Sequence, residues 1–212
     1  NYSIYDPNSK NIHGSFSLTG RSDTSWIVPS GISKVSFAVW GCNGGSSGRT
    51  CVKNISGQSC YGCQPDKKEA SSGKGGHGID VYFSLLLNPG DTIYMKSGLN
   101  GTDGADSWCP NTPGIKGGNG DTMVCYVNSK LLFTNIGGYG GTGGFNVYNR
   151  DPSPGTPGGD GGINFFSNAI SGVSIENETS FGNPAYGLYD FEISNSLIYK
   201  GINTSGRILL MY

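Results

Sequence analysis

Glycine at every third position is the feature that most narrows what this chain can become. In GGYGGTGG, at residues 137–144, Gly138, Gly141 and Gly144 are three apart. The same step separates Gly98, Gly101 and Gly104, then Gly114, Gly117 and Gly120, then Gly155, Gly158 and Gly161. A shorter relative, SGKGGHG, carries Gly73 and Gly76 at that interval, interleaved with Gly75 and Gly78. Three residues make one turn of a polyproline-II-type helix, so each run leaves one side of such a helix without Cβ atoms. Bare backbone lets neighbouring segments approach closely and hydrogen-bond to each other. The period therefore predicts ordered polyglycine helices packed together, not flexible linkers. Collagen is excluded, because the triplets stop after about three turns and hold little proline in register.

A chain of 212 residues makes one large domain or two small ones. Apolar residues supply only 35% of it, with 37 glycines in their place, so the core is expected to be modest and built from sheets. The net charge is -1 and no basic block occurs, which argues against nucleic acid or an anionic membrane as partner. No apolar run approaches the roughly 18 residues a spanning helix requires, so membrane insertion is not expected. The longest runs, at 85–87 and 208–212, are strand-sized.

Six cysteines, Cys42, Cys51, Cys60, Cys63, Cys109 and Cys125, form an even set in a glycine-rich chain of low charge. That usage predicts disulfides formed in an oxidising compartment, with the pairing left open, and a secreted, extracellular, cell-surface or virion-surface location. Cys60-Tyr-Gly-Cys63 resembles half a zinc site. No second CxxC exists to complete it, and His13 and His77 are the only histidines, so neither metal nor cofactor is expected. Sequons at Asn54, Asn100, Asn177 and Asn203 would accept N-glycans on a eukaryotic secretory route.

Read in order, the chain alternates strand signals with glycine-rich excursions. Phe16 and Leu18 stand at strand spacing, and Trp26-Ile27-Val28 runs into a turn at Pro29-Ser30-Gly31. Val35, Phe37 and Val39 then alternate with Ser36 and Ala38, a period-two face for a sandwich core. Residues 41–78 form an excursion holding four of the cysteines, which are expected to staple it. Strand patterns resume at 79–87 and 92–97 around the turn Asn88-Pro89-Gly90-Asp91. After a second excursion at 98–120, a hairpin pairs 123–127 with 131–134 through Asn128-Ser129-Lys130. From 163 onward glycine thins out and short strand patterns appear at 170–175, 186–193, 197–199 and 207–212. No helical period persists anywhere. The chain is expected to be all-β, with residues 1–162 forming a β-sandwich with glycine-rich insertions and 163–212 completing the same domain.

The order of these signals resembles a glycine-rich domain known from phage tail-fibre adhesins, other microbial surface proteins and the anaplastic lymphoma kinase ectodomain. The likeness is carried by Trp26-Ile-Val-Pro29-Ser-Gly31, Val35-Ser-Phe-Ala-Val-Trp-Gly41, Gly75-Gly-His-Gly78, Asn88-Pro-Gly-Asp91, Gly98, Gly117-Gly-Asn-Gly120 and the run at 137–144. It covers about residues 24–165 and implies a jelly-roll-like β-sandwich carrying a polyglycine-II helix bundle. The six cysteines and the glycine-poor C-terminal quarter depart from it. No functional residue carries over, because the scaffold serves unrelated roles.

Chemistry is thinly represented. No GxSxG, HExxH or paired CxxC pattern occurs, and His77 lies in a glycine run near Asp80 without a partner to orient it. Asp103, Asp106, Asp121 and Asp160 lack the DxDxDG order of a calcium loop and are expected to make turns. Trp108, Tyr139, Phe145 and Tyr148 lie in or beside the excursions, where flat rings could stack on sugars or cap a glycine bundle. The expected function is non-enzymatic: a secreted structural subunit that self-associates into a fibre, sheath or virion appendage. Both strand-forming end segments, 2–5 and 207–212, are expected to be able to add to a neighbour's sheet. The alternative is an adhesin that recognises a glycan or surface receptor through the aromatics.

Overall fold

The computed structural model describes residues 14–50, 70–107, 112–145, 153–166, 174–181 and 206–212. Strands β1 (Ser15–Thr19), β10 (Arg207–Met211), β3 (Lys34–Trp40), β4 (Asp80–Leu86) and β9 (Ser174–Phe181) form one sheet in that spatial order. The second sheet runs β2 (Asp23–Ile27), β5 (Thr92–Lys96), β6 (Met123–Val127), β7 (Lys130–Ile136) and β8 (Gly162–Phe165). Every pairing is antiparallel. No helix occurs among the described residues, so the all-β expectation holds there.

The alternation read from the sequence sets the core. Val35, Phe37 and Val39 of β3 and Val81, Phe83 and Leu85 of β4 join Ile93, Met95, Met123, Cys125 and Phe133 of the second sheet in one buried cluster. Phe37 stacks on Phe83 with centroids 4.9 Å apart, and Phe83 meets Phe133 edge-on at 5.6 Å, a contact that links the two sheets. Each such side chain contributes roughly 1.5–3 kcal/mol on burial. The opposite face of β3 is not the solvated one that alternation implies. Ser36 and Ala38 are buried too, Ser36 sharing a hydroxyl contact of 2.9 Å with Ser84, and Ala38 packs with Leu209, Met211 and Trp40.

Turns follow their residues. Gly90 adopts φ 92°, and the β6–β7 hairpin reverses through Asn128 and Ser129, both at positive φ, as a tight two-residue connection needs. Asn128 Oδ1 accepts the Thr92 N–H at 2.9 Å while its Nδ2 donates to Asp91 Oδ1 at 2.8 Å, tying the two turns together.

Two expectations for the ends change. Of the strand placed at 170–175, residues 170–173 lie outside the described residues, while 174 and 175 open β9, which runs on through the polar segment to Phe181 because its pairing with β4 overrides weak local propensity. The C-terminal strand is not free to join a neighbour: β10 lies between β1 and β3 and pairs with both. Segments 2–5, 186–193 and 197–199 lie outside the described residues.

From one end of the sheets, six extended segments leave the strands: 41–50 and 70–79 between β3 and β4, 98–107 and 112–122 between β5 and β6, 137–145 and 153–161 between β7 and β8. They bond to each other through the backbone in steps of three. Segment 41–50 meets 70–79 through Gly44 N–H to Gly76 O and Ser47 N–H to Gly73 O, and meets 112–122 through Gly45 N–H to Gly118 O and Gly48 N–H to Ile115 O. It also accepts from Gly101 and Gly104 on one side and from Gly138 and Gly141 on another. Segment 137–145 likewise bonds 41–50, 70–79, 112–122 and 153–161, for example Gly117 N–H to Gly141 O and Tyr139 N–H to Gly159 O. These neighbours define two rows of three, 98–107/41–50/70–79 above 112–122/137–145/153–161. A Cβ added at Gly45, Gly117, Gly138, Gly141 or Gly158 would fall within 3.0 Å of a neighbour's carbonyl, which is why glycine is required there.

Candidate functional site

The cysteines need correcting first. Cys42 and Cys125 are free thiols, both fully buried, and not members of a disulfide set. Cys42 ends β3's exit at the base of the glycine rows, where a Cβ on Gly98 would lie 3.1 Å from its Sγ. Cys125 is a small core hydrophobe inside the second sheet. Burial pushes the Cys42 thiol up to about 11 and raises that of Cys125 further, so both are inert. Cys51, Cys60, Cys63 and Cys109 lie outside the described residues, as do His13, Trp108, Tyr148, Asn54 and Asn203.

Tyr139 and Phe145 lie six residues apart on segment 137–145, 47% and 37% exposed, with Thr142 midway along the chain between them. All three donate their N–H toward segment 153–161, so the spacing that buries glycine on one side turns these residues outward. The twelve glycines at 98, 101, 104, 114, 117, 120, 138, 141, 144, 155, 158 and 161 all lie in the bonded segments. Asn177 sits in β9.

The acidic residues do not make the turns expected of them but accept backbone N–H groups of neighbouring segments. Asn100 Oδ1, Asp103 Oδ1 and Asp106 Oδ1 accept the N–H groups of Asn43, Ser46 and Arg49 at 2.9, 2.7 and 2.7 Å. Those donors are three residues apart, so one segment's side chains finish the outward-facing hydrogen bonds of the next. Asp160 does the same for the His77 N–H at 2.9 Å, which gives that stretch a structural use. Asp106 also pairs with Arg49 Nη2 at 2.8 Å, and this bond holds its carboxyl below the usual range. Among the described residues no cluster of His, Cys, Asp or Glu is arranged to hold a metal. The signal was present in the sequence as Asn100-Gly and Asp103-Gly at the glycine period, masked by the ordinary preference of Asp and Asn for turns.

A cleft of about 470 Å³ opens where the second sheet meets the glycine segments. Arg21 forms one wall, its Nε 2.7 Å from Asp121 Oδ2 and its Nη2 3.1 Å from Oδ1, a forked pair that lowers the Asp121 pKa. The Leu99 N–H donates to the same carboxylate at 3.0 Å. Ser22 and Ser97 share a hydroxyl contact of 3.0 Å on the floor, anchored to the Thr19 and Gly20 carbonyls. Asp23 and Lys96, register partners on β2 and β5, complete the rim. Asp23 accepts the Tyr94 hydroxyl at 2.8 Å, which raises the Tyr94 pKa, and Tyr94 lies beside Tyr126 on the sheet with centroids 6.0 Å apart. Nothing in the sequence brings Arg21 and Asp121 together, since they are far apart in the chain and belong to no motif.

No protein-family profile matches the sequence, and no curated protein matches it significantly. Among the described residues no helix is long and apolar enough to cross a membrane. The geometry thus defines a class and no more: an all-β protein of two antiparallel sheets with hydrogen-bonded glycine segments at one end.

Proposed function

We propose that the chain is a non-enzymatic extracellular structural protein, a self-associating subunit of a secreted fibre, sheath or virion appendage. In this proposal the two sheets form a jelly-roll-like sandwich, and the six segments are polyglycine-II helices packed as a bundle. The likeness to glycine-rich domains of phage tail-fibre adhesins and other surface proteins belongs to it as well. The observation that carries it is the three-residue step of the bonds joining all six segments, such as Gly141 N–H to Gly45 O at 3.0 Å and Gly45 N–H to Gly118 O at 2.8 Å. A three-residue helix has no internal hydrogen bonds, so its backbone groups are free to bond sideways to neighbours. The result is a stiff block that needs few apolar side chains, as a durable exposed object requires. Cys51, Cys60, Cys63 and Cys109 are proposed to pair among themselves; thiol counting in denaturant without reductant should then find two reactive groups, and six would end that idea.

Light scattering and electron microscopy of the native protein test the assembly. Polymers or discrete oligomers support it, whereas a monomer at every concentration removes it. Tyr139 and Phe145, exposed on one outer row, favour the adhesin as a second reading. Substituting both with alanine should abolish glycan or receptor binding with little change in melting temperature, and retained binding would rule that face out.

A further inference from the structure

We propose that the cleft between Arg21, Lys96 and Asp121 is a binding site for an uncharged polyhydroxylated ligand, a neutral saccharide, with the Tyr94–Tyr126 pair as its stacking platform. The volume, about 470 Å³, lies in the range of small-molecule sites. Its charges cancel: Arg21 and Lys96 oppose Asp23 and Asp121, so an ionic ligand gains no net attraction. What remains is a dense mixture of donors and acceptors at fixed positions. The forked Arg21–Asp121 pair is immobilised by the Leu99 N–H, and the Ser22 and Ser97 hydroxyls are held by backbone carbonyls. Vicinal hydroxyls of a sugar both donate and accept at this spacing, and fixed partners lower the ordering cost of binding.

The tyrosines supply the second requirement. Tyr94 is not part of the cleft wall, but its hydroxyl donates to Asp23 on the rim at 2.8 Å, which sets the ring next to the polar pocket. Tyr126, its cross-strand partner, stands beside it with the two rings inclined at 54°, so each ring offers its own face. Aromatic faces pair with the C–H face of a pyranose while polar tips stay in contact with water. One sugar unit fits the cleft and the next lies over the rings. This site is separate from the Tyr139 and Phe145 face, and it does not depend on whether the chain polymerises.

The test starts with a glycan array carrying neutral and anionic oligosaccharides, followed by titration of ¹⁵N-labelled full-length protein with the best neutral binder. Shifts are expected at Ser22, Tyr94, Lys96 and Ser97, with an affinity insensitive to salt. Lys96→Ala and Tyr94→Ala should each weaken binding about tenfold or more at unchanged melting temperature. Arg21→Ala is expected to do the same, with Lys96→Ala as the variant that leaves the forked pair intact. No neutral glycan bound, a preference for anionic glycans that falls with salt, or shifts confined to Tyr139 and Phe145 would each overturn the proposal.

Discussion

Asp80 shows how one side chain couples the sheets to the glycine segments. It opens β4, and its Oδ1 accepts the Gly41 N–H at 3.0 Å, at the point where β3 hands over to segment 41–50. Burial raises its pKa from 3.8 to about 6, and the Gly41 bond pulls only partly in the other direction. The folded state therefore binds a proton more tightly than the unfolded one. Stability attributable to this group is greatest below about pH 4 and falls as pH rises through 4 to 6, to a total near 3 kcal/mol. Asp80→Asn keeps an oxygen for Gly41 but has no charge to bury. Its melting temperature is expected to exceed wild type at pH 7 and to match it at pH 4. An equal difference at both pH values, in thermal unfolding followed by circular dichroism, would contradict the assignment. The sequence offers no hint of this role: Asp80 stands there only as a neighbour of His77, and the His77 N–H donates to Asp160.

At the level of elements, periodicity was the readable part and its interruptions were not. Glycine triplets identified 98–107, 112–122, 137–145 and 153–161 because nothing but glycine fits where two backbones touch. By sequence, segment 41–50 is only part of an excursion expected to be stapled by cysteines, yet it bonds four neighbours. Its two three-residue series, 42/45/48 and 41/44/47, each replace one glycine, with Cys42 and Ser47, side chains small enough to tolerate a crowded site, and Ser47 Oγ donates to the Thr142 carbonyl at 2.6 Å. The cleft was illegible for a different reason, because its walls come from a turn after β1, from β5 and from a glycine segment. A matched pair of substitutions tests the segments. In Gly141→Ala the new Cβ would lie 2.6 Å from the Lys74 carbonyl oxygen, while at Gly162 it would meet nothing within 4 Å. Gly141→Ala is expected to cost about 3 kcal/mol in denaturant unfolding, because backbone cannot move aside as a side chain can. Gly162→Ala should stay within about 0.5 kcal/mol. Equal effects would mean that the segments are not held against each other in solution.

Across the whole molecule, the glycine segments join the two sheets in addition to the apolar core. Segments 41–50 and 70–79 extend from β3 and β4 of the first sheet, and the other four extend from the second. Bonds such as Gly45 N–H to Gly118 O and Gly141 N–H to Gly45 O therefore cross from one sheet's connections to the other's. A glycine-rich segment released from its neighbours gains more chain entropy than any other sequence, so it stays ordered only while its bonds hold it. Freeing 41–50 or 137–145 would break bonds to four neighbours at once, at about 1 kcal/mol for each bond, which together outweigh that gain. Local opening of these two segments is thus disfavoured, and they should unfold only with the sheets. Native-state hydrogen exchange can follow this residue by residue. The Gly45 and Gly141 amides are expected to exchange with the same denaturant dependence as those of Phe37 and Leu210 in the core strands. Gly158, on the outer segment 153–161 and bonded to Lys74, should open earlier. Exchange at Gly45 as fast as at the exposed turn residue Ser30 would show that the rows are loose loops, and the structural function proposed for them would have no mechanical basis.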